Sequence, residues 1–264
     1  MPWETGLRGK RALVTAASRG LGFGAARALL EEGCSVVISS SNQANLELAL
    51  RELRPLGHVE AVKADLTRKE EIDALVDRAS SLLGGLDILV YVTGSPKPGP
   101  FMEQGYEDWL EASRLLVVSA AYLARRAAEV MLRQGTGGRI VLLASVAIRE
   151  PVPSLATSNV CRIAVAGIVR TLARELGPRG IRVNGILPGY IRTKRLEQIL
   201  LDSAKRRGIS PEQALAELER EIPMGRVGRV EELANAVVFL ASDLSSYVNG
   251  ALLPVDGGYL RSVG

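Results

Sequence analysis

The chain has 264 residues, 47% apolar and 23% charged, the balance of one ordinary globular α/β domain rather than a disordered or fibrous protein. Its net charge of +4 is spread without any run of about five basic residues, and aromatics make up only 4%, which argues against a nucleic-acid partner. No apolar run reaches the ~18–20 residues that cross a bilayer, no signal-peptide pattern opens the chain, and Cys34 and Cys161 are too few for a disulfide framework or a metal site, so a cytoplasmic, metal-free protein without a membrane partner is expected.

Short β-branched runs alternate along the chain with stretches whose apolar residues recur at three- and four-residue spacing. Lys10–Thr15 reads as a first strand and Leu21–Glu32 as a first helix. The turn between them is Thr15-Ala16-Ala17-Ser18-Arg19-Gly20-Leu21-Gly22. A glycine-rich turn that opens a helix lets backbone N–H groups approach a pyrophosphate, and the helix N-terminus favours its charge. Ser35–Ser39 is the second strand, ending in Ser39-Ser40-Ser41-Asn42. An acidic residue at this place accepts hydrogen bonds from the adenosine ribose and selects NAD. Here no carboxylate stands in the way of a 2′-phosphate, and the Arg19 guanidinium suits one in a bidentate fork. NADP(H) is therefore expected in preference to NAD(H).

Val59–Lys63 is the third strand, followed by Asp65-Leu66 and a helical stretch over Glu70–Leu83. His58, the only histidine, precedes that strand and is expected to be structural. Leu86–Thr93 reads as the fourth strand, leading into Gly94, and Tyr106–Arg133 as one long helix. Arg139–Ala144 is the fifth strand and delivers Ser145; Ala156–Leu176 is a helix that carries Ser158 and Arg162. Arg182–Leu187 is the sixth strand, continuing into Pro188-Gly189-Tyr190-Ile191-Arg192-Thr193. From Arg192 to Arg226 the alternation breaks: this stretch is polar, helical in pattern and free of strands. Ser210-Pro211-Glu212 reads as a helix start within it, with Ser as cap and Pro in the first turn. An excursion of this kind, leaving the end of a strand, is expected to form a substrate lid. Ala251–Val255 is the seventh strand. Repeated strand–helix–strand units predict a single domain built on a doubly wound, parallel, seven-stranded Rossmann-like sheet with helices on both faces. Ligands are then expected beyond the carboxyl ends of the strands.

Read together, these motifs resemble the short-chain dehydrogenase/reductase family almost from end to end. The family's first turn is Thr-Gly-x-x-x-Gly-x-Gly; Gly20 and Gly22 match its last two glycines, and Ala16 stands at the first. Asp65-Leu66 matches its adenine-contacting pair. Of its Asn-Asn-Ala-Gly after the fourth strand only Gly94 remains, behind Tyr91, Val92 and Thr93. Val183-Asn184 through Thr193 matches its Val-Asn-x-x-x-Pro-Gly-x-Ile-x-Thr run. The resemblance implies cofactor contacts at Thr15, Ser18, Arg19, Gly20, Leu21, Gly22, Ser40, Asp65, Leu66, Gly94, Pro188, Gly189, Ile191 and Thr193. It also implies a small-molecule substrate and a homotetramer or homodimer.

The catalytic positions depart from the family pattern. Ser145 matches the family's Ser, which hydrogen-bonds the substrate oxygen. Ser158 and Arg162 stand where the family has a Tyr that moves the proton and a Lys that binds the nicotinamide ribose and lowers the Tyr pKa. With Trp109 and Met131 fixing the register, Leu116 stands where the family has an Asn that holds a relay water. No Tyr occurs between Ala147 and Gly189, so a shifted alignment does not restore the missing one. Arg162 retains the capacity to hold ribose hydroxyls but stays protonated, and Ser158 can orient an oxygen but is a poor acid. Tyr91 and Tyr190 are candidate replacement acids, although packing roles are expected for both. The leading expectation is an NAD(P)(H)-dependent oxidoreductase acting on a hydroxyl or carbonyl substrate with a non-standard proton donor. The alternative is a weak or inactive NADP(H)-binding sensor or scaffold. A lyase like the halohydrin dehalogenases also carries Arg at the Lys position, but keeps the Tyr and loses the glycine turn, the reverse of this chain.

Overall fold

The computed structural model describes residues 4–262. Its centre is one parallel sheet of seven strands: β1 (Arg11–Val14), β2 (Ser35–Ser40), β3 (Val59–Lys63), β4 (Ile88–Tyr91), β5 (Gly138–Leu143), β6 (Ile181–Pro188) and β7 (Leu252–Val255). They lie in the order β3-β2-β1-β4-β5-β6-β7. The chain steps outward from β1 to β3, then crosses back to lay β4 against the other side of β1. The winding reverses there, and a crevice opens beyond the carboxyl ends of β1 and β4.

Helices cover both faces, as the near-continuous apolar runs of the central strands require. On one face Ala25 and Leu29 of α1 (Gly20–Glu31), Leu46 of α2 (Gln43–Leu53) and Val237 of α9 (Val230–Ala241) pack with Val14, Ile38 and Val90. On the other, Leu75 of α3 (Lys69–Leu83), Leu123 of α5 (Ser119–Gln134) and Val165 of α6 (Ala156–Leu176) pack with Leu13, Leu89 and Leu142. Each such buried Leu, Ile or Val contributes roughly 1.5–3 kcal/mol of transfer free energy. No helix among the described residues is long and apolar enough to cross a membrane.

Two of the differences from the sequence expectation have a local structural reason. The fourth strand stops at Tyr91 rather than Thr93 because the Val92 peptide leaves the ladder for a side chain. Val92 N–H donates to Thr15 Oγ1 at 2.9 Å, and Thr15 Oγ1 donates back to the Val92 carbonyl at 2.6 Å. The stretch expected as one long helix is divided into α4 (Tyr106–Ser113) and α5 by a π turn over Arg114–Val118. There the Leu115 carbonyl accepts from Tyr91 Oη at 3.1 Å, and also from Ser119 Oγ and Thr93 Oγ1. Tyr91 and Ser119 are joined at 2.7 Å. Hydroxyl groups thus brace β4 against the π turn.

The excursion after β6 forms α7 (Lys194–Arg207) and α8 (Pro211–Glu221). Ser210 and Gln213 cap α8 reciprocally, at 3.2 and 2.9 Å, which confirms the expected helix start. Leu196, Leu200, Leu215, Leu218, Ile222 and Val227 give the pair an apolar cluster of its own.

Candidate active site

The β1–α1 turn is held tight by glycine where the backbone folds onto itself. A Cβ on Gly22 would lie 2.5 Å from the Ala16 carbonyl oxygen and 2.8 Å from that of Thr15, and Gly20 sits at φ +59°. Ala16 also adopts a left-handed conformation, φ +46°, with no glycine to make it cheap. That geometry costs an L-residue roughly 1–2 kcal/mol. Ala16→Gly is therefore expected to raise stability by about 0.5–1 kcal/mol after the unfolded-state entropy of glycine is counted. Chemical denaturation checks it; a loss of stability would mean that the methyl group packs usefully.

α1 begins without a side-chain cap and without an acidic residue in its first turn, so its first N–H groups are left for an outside acceptor. Arg19 occupies the cap position, exposed and in no ion pair among the described residues. Beside it Ser18 Oγ donates to Ser40 Oγ at 3.0 Å, which ties the turn to the end of β2. Asp65 closes its own turn, accepting from Thr67 N–H and Oγ1 at 2.9 and 2.7 Å, and Leu66 is buried behind it. From the other side comes the end of β6. Gly189 N–H donates to the Val255 carbonyl at 3.0 Å, and a Cβ at Gly189 would lie 2.7 Å from that of Asp256. Ile191 is buried, and Thr193 caps α7 at 3.3 Å from the Leu196 N–H. The Thr193 methyl approaches within 3.7 Å of where a Gly20 Cβ would be, so these two distant motifs form one wall. Gly94 is exposed at the opening of the β4 loop. Thr15 is fully buried with its hydroxyl committed to Val92, so it shapes the crevice rather than facing it.

Ser145, Ser158 and Arg162 converge at the carboxyl end of β5. Ser158 and Arg162 lie one turn apart on α6. Arg162 Nε donates to Ser158 Oγ at 3.1 Å, and Nη1 donates to the Ala144 carbonyl at 2.9 Å, immediately before Ser145. Ser145 Oγ accepts from Ala147 N–H at 3.1 Å. Among the described residues neither serine hydroxyl donates to a protein acceptor. Arg162 is half-buried, and its guanidinium is partly desolvated. Burial lowers its pKa from the ordinary arginine value, and among the described residues no carboxylate pairs with it. The start of α6 is fixed by Asn159, whose side chain accepts from Val152 N–H at 3.2 Å and donates to the Val152 carbonyl at 2.9 Å.

The two candidate replacement acids are both packed away. Burial raises the Tyr91 pKa, and its hydroxyl is shared between Ser119 and Leu115. Tyr190 stacks edge-on against Tyr259, ring centroids 5.1 Å apart, and burial raises its pKa as well. Leu116 sits in an apolar cluster with Ala112 and Cys161 inside the π turn, where it offers no hydrogen bond. His58 is exposed at the far end of the sheet, its carbonyl accepting from Val36 N–H.

Next to Ser158 lies a small cleft of about 60 Å³. Its walls are Ser95–Lys97 of the β4 loop, Leu155 and Ser158 at the start of α6, and Arg195 and Ile199 of α7. Arg195 carried no motif in the sequence. Only the fold, by bringing α7 beside the start of α6, places it next to Ser158.

Residues 15–260 match the family model described as enoyl-(acyl carrier protein) reductase. Among curated relatives, the 2-dehydro-3-deoxy-D-gluconate 5-dehydrogenase of Escherichia coli K12 is 34% identical over 96% of both chains. The human dehydrogenase/reductase SDR family member 4 is 35% identical over 96% of this chain and 88% of its own. L-sorbose reductase from Gluconobacter frateurii, solved with NADPH and L-sorbose, superposes with a TM-score of 0.93 at 33% identity, covering 98% of this chain and all of that one.

Proposed function

The chain belongs to the short-chain dehydrogenase/reductase family, and from that premise we propose that it is an NADP(H)-linked oxidoreductase that stabilises the substrate oxygen with Ser145, Ser158 and a fixed Arg162 charge instead of a protonating phenol. The observation that carries this reading is the Arg162 bridge between Ser158 Oγ and the Ala144 carbonyl.

The residues of the β1–α1 turn fit a dinucleotide. The uncapped N–H groups of α1 around Gly20, Leu21 and Gly22 suit the pyrophosphate, with Thr193 beside them. Arg19, Ser18 and Ser40 suit a 2′-phosphate, Asp65 and Leu66 the adenine, and Gly94, Pro188, Gly189 and Ile191 the nicotinamide end. When bound, the dinucleotide supplies the hydride. Ser145 and Ser158 donate their uncommitted protons to the oxygen of the reacting carbonyl. Arg162 holds a Ser158 lone pair, which leaves that hydroxyl to point outward as a donor. Its positive charge stands one hydrogen bond behind the oxygen on which negative charge builds, in a site already organised for it. The guanidinium keeps its own protons, so water supplies the proton that completes the alcohol. α7 and α8 act as the lid, excluding bulk water from the cleft. Exposed Val118, Val160 and Ile163 on the central helices support a homotetramer, the same surface recurring on each copy.

Titration of the protein with NADPH and NADH, followed by NADPH absorbance over a panel of ketones, aldehydes and alcohols, tests this function. NADPH is expected to bind more tightly than NADH, and Arg19→Gln to weaken NADPH by roughly 10-fold or more while hardly moving NADH. Absence of nucleotide binding contradicts the proposal; tight binding without turnover replaces it with the sensor reading.

A further inference from the structure

We infer that the substrate carries a carboxylate a few bonds from its reacting carbonyl or alcohol carbon, and that Arg195 of α7 is the residue that receives it. This inference rests on the dehydrogenase reading above and narrows its substrate class.

Four observations support it. Arg195 Nε is buried and has no hydrogen-bond partner, and the rest of its guanidinium forms no hydrogen bond or ion pair among the described residues. Arg11, Arg126 and Arg182 are satisfied within the protein, by Asp87, by Asp73, and by the Ser242 and Ser245 carbonyls, and Arg139, whose Nε is also buried without a partner, has its charge met by Asp243. Arg195 also lines the same small cleft as Ser158, so a ligand whose oxygen reaches Ser158 has its other end beside Arg195. Finally, no Asp or Glu lines that cleft. The one other cation on its walls, Lys97, is already neutralised by Asp108 at 3.0 Å.

A buried donor is costly to leave unpaired, and a guanidinium is satisfied best by the two parallel acceptors of a carboxylate. The missing partner is therefore supplied by the ligand. Because α7 belongs to the segment that covers the cleft, the same contact would draw the lid down over an acid and not over a neutral analogue. Ser158 and Arg195 share the walls of one small cleft, so the spacing suits short oxo or hydroxy acids.

The test compares acetoacetate and levulinate with their methyl esters, on the wild-type protein and on Arg195→Gln, with NADPH affinity measured alongside. The wild type is expected to use an acid over its ester by roughly 10–100-fold in kcat/KM, and Arg195→Gln to remove most of that preference through KM. Equal use of acid and ester by the wild type overturns the inference, as does an equal loss on both by the variant. If esters and acids alike are not reduced, it is the dehydrogenase reading that fails, and calorimetric binding of the acids in the presence of NADP+ still decides the inference. Binding by the wild type that weakens by a similar factor in Arg195→Gln upholds an acid-binding cleft; binding indifferent to the substitution rejects it.

Discussion

Replacing Arg162 by Met is expected to lower kcat by roughly 10²–10³-fold, the usual effect of removing one preorganised donor from a site of developing negative charge. Stability is expected to change by less than about 2 kcal/mol in either direction. The two effects separate because of where the charge sits. Among the described residues Arg162 is unpaired with any carboxylate and is held only by Ser158 Oγ and the Ala144 carbonyl. Its removal relieves a buried charge and strands one carbonyl, and those contributions oppose each other. Catalysis has no such offset, since the charge behind Ser158 is lost outright. Arg162→Lys should recover only part of the rate, because an ammonium cannot present the guanidinium fork to both acceptors. Steady-state kinetics with thermal melts check this; a kcat within about threefold of wild type would make Arg162 a structural residue.

The double substitution Ser158→Tyr with Arg162→Lys is expected to raise carbonyl reduction by about 10²-fold, the lower end of what a positioned acid contributes. Tyr at this place points a phenol into the cleft lined by Leu155 and Arg195, and Lys four residues on lowers its pKa. The gain stays at the lower end because Leu116, locked between Ala112 and Cys161, holds no relay water. A further Leu116→Asn should then add to the double substitution more than to the wild type. No gain from the pair would mean that the hydroxyl network of Tyr91, Ser119 and the Leu115 carbonyl, not the missing phenol, limits the reaction.

The sheet was legible in the chain because its central strands are buried on both faces and read as near-continuous apolar runs. Val59–Lys63 and the helix Ala156–Leu176 have the expected ends, and Ser210 caps α8 as its sequence implied. The π turn was not legible. Arg114–Val118 keeps the apolar spacing of its neighbours, and an extra residue in one turn alters backbone bonding without altering composition. The left-handed Ala16 was equally hidden, since alanine announces no positive φ. Ser145, Ser158 and Arg162 were singled out through the family resemblance, and the structure adds the bonds that join Arg162 to Ser158 and to the Ala144 carbonyl. Arg195 illustrates the limit most plainly. Its significance depends on a cleft between α6, α7 and the β4 loop, and nothing local in Thr193-Lys194-Arg195 encodes that meeting.

In the proposed mechanism a fixed cation, not a titrating acid or base, handles the substrate oxygen. The pH dependence of kcat/KM for alcohol oxidation, with a deuterated alcohol to confirm that hydride transfer is being observed, tests it most directly. Tyr91 and Tyr190 are packed away with their pKa values raised, and Arg162 holds its protons as a guanidinium, so none of the three serves as a base near neutrality. The rate is then expected to follow hydroxide, rising about tenfold per pH unit from about pH 6 to pH 9 without levelling. A plateau with an inflection between about pH 6.5 and 8.5 would contradict the account, because it would reveal a general base that this arrangement of Ser145, Ser158 and Arg162 does not contain.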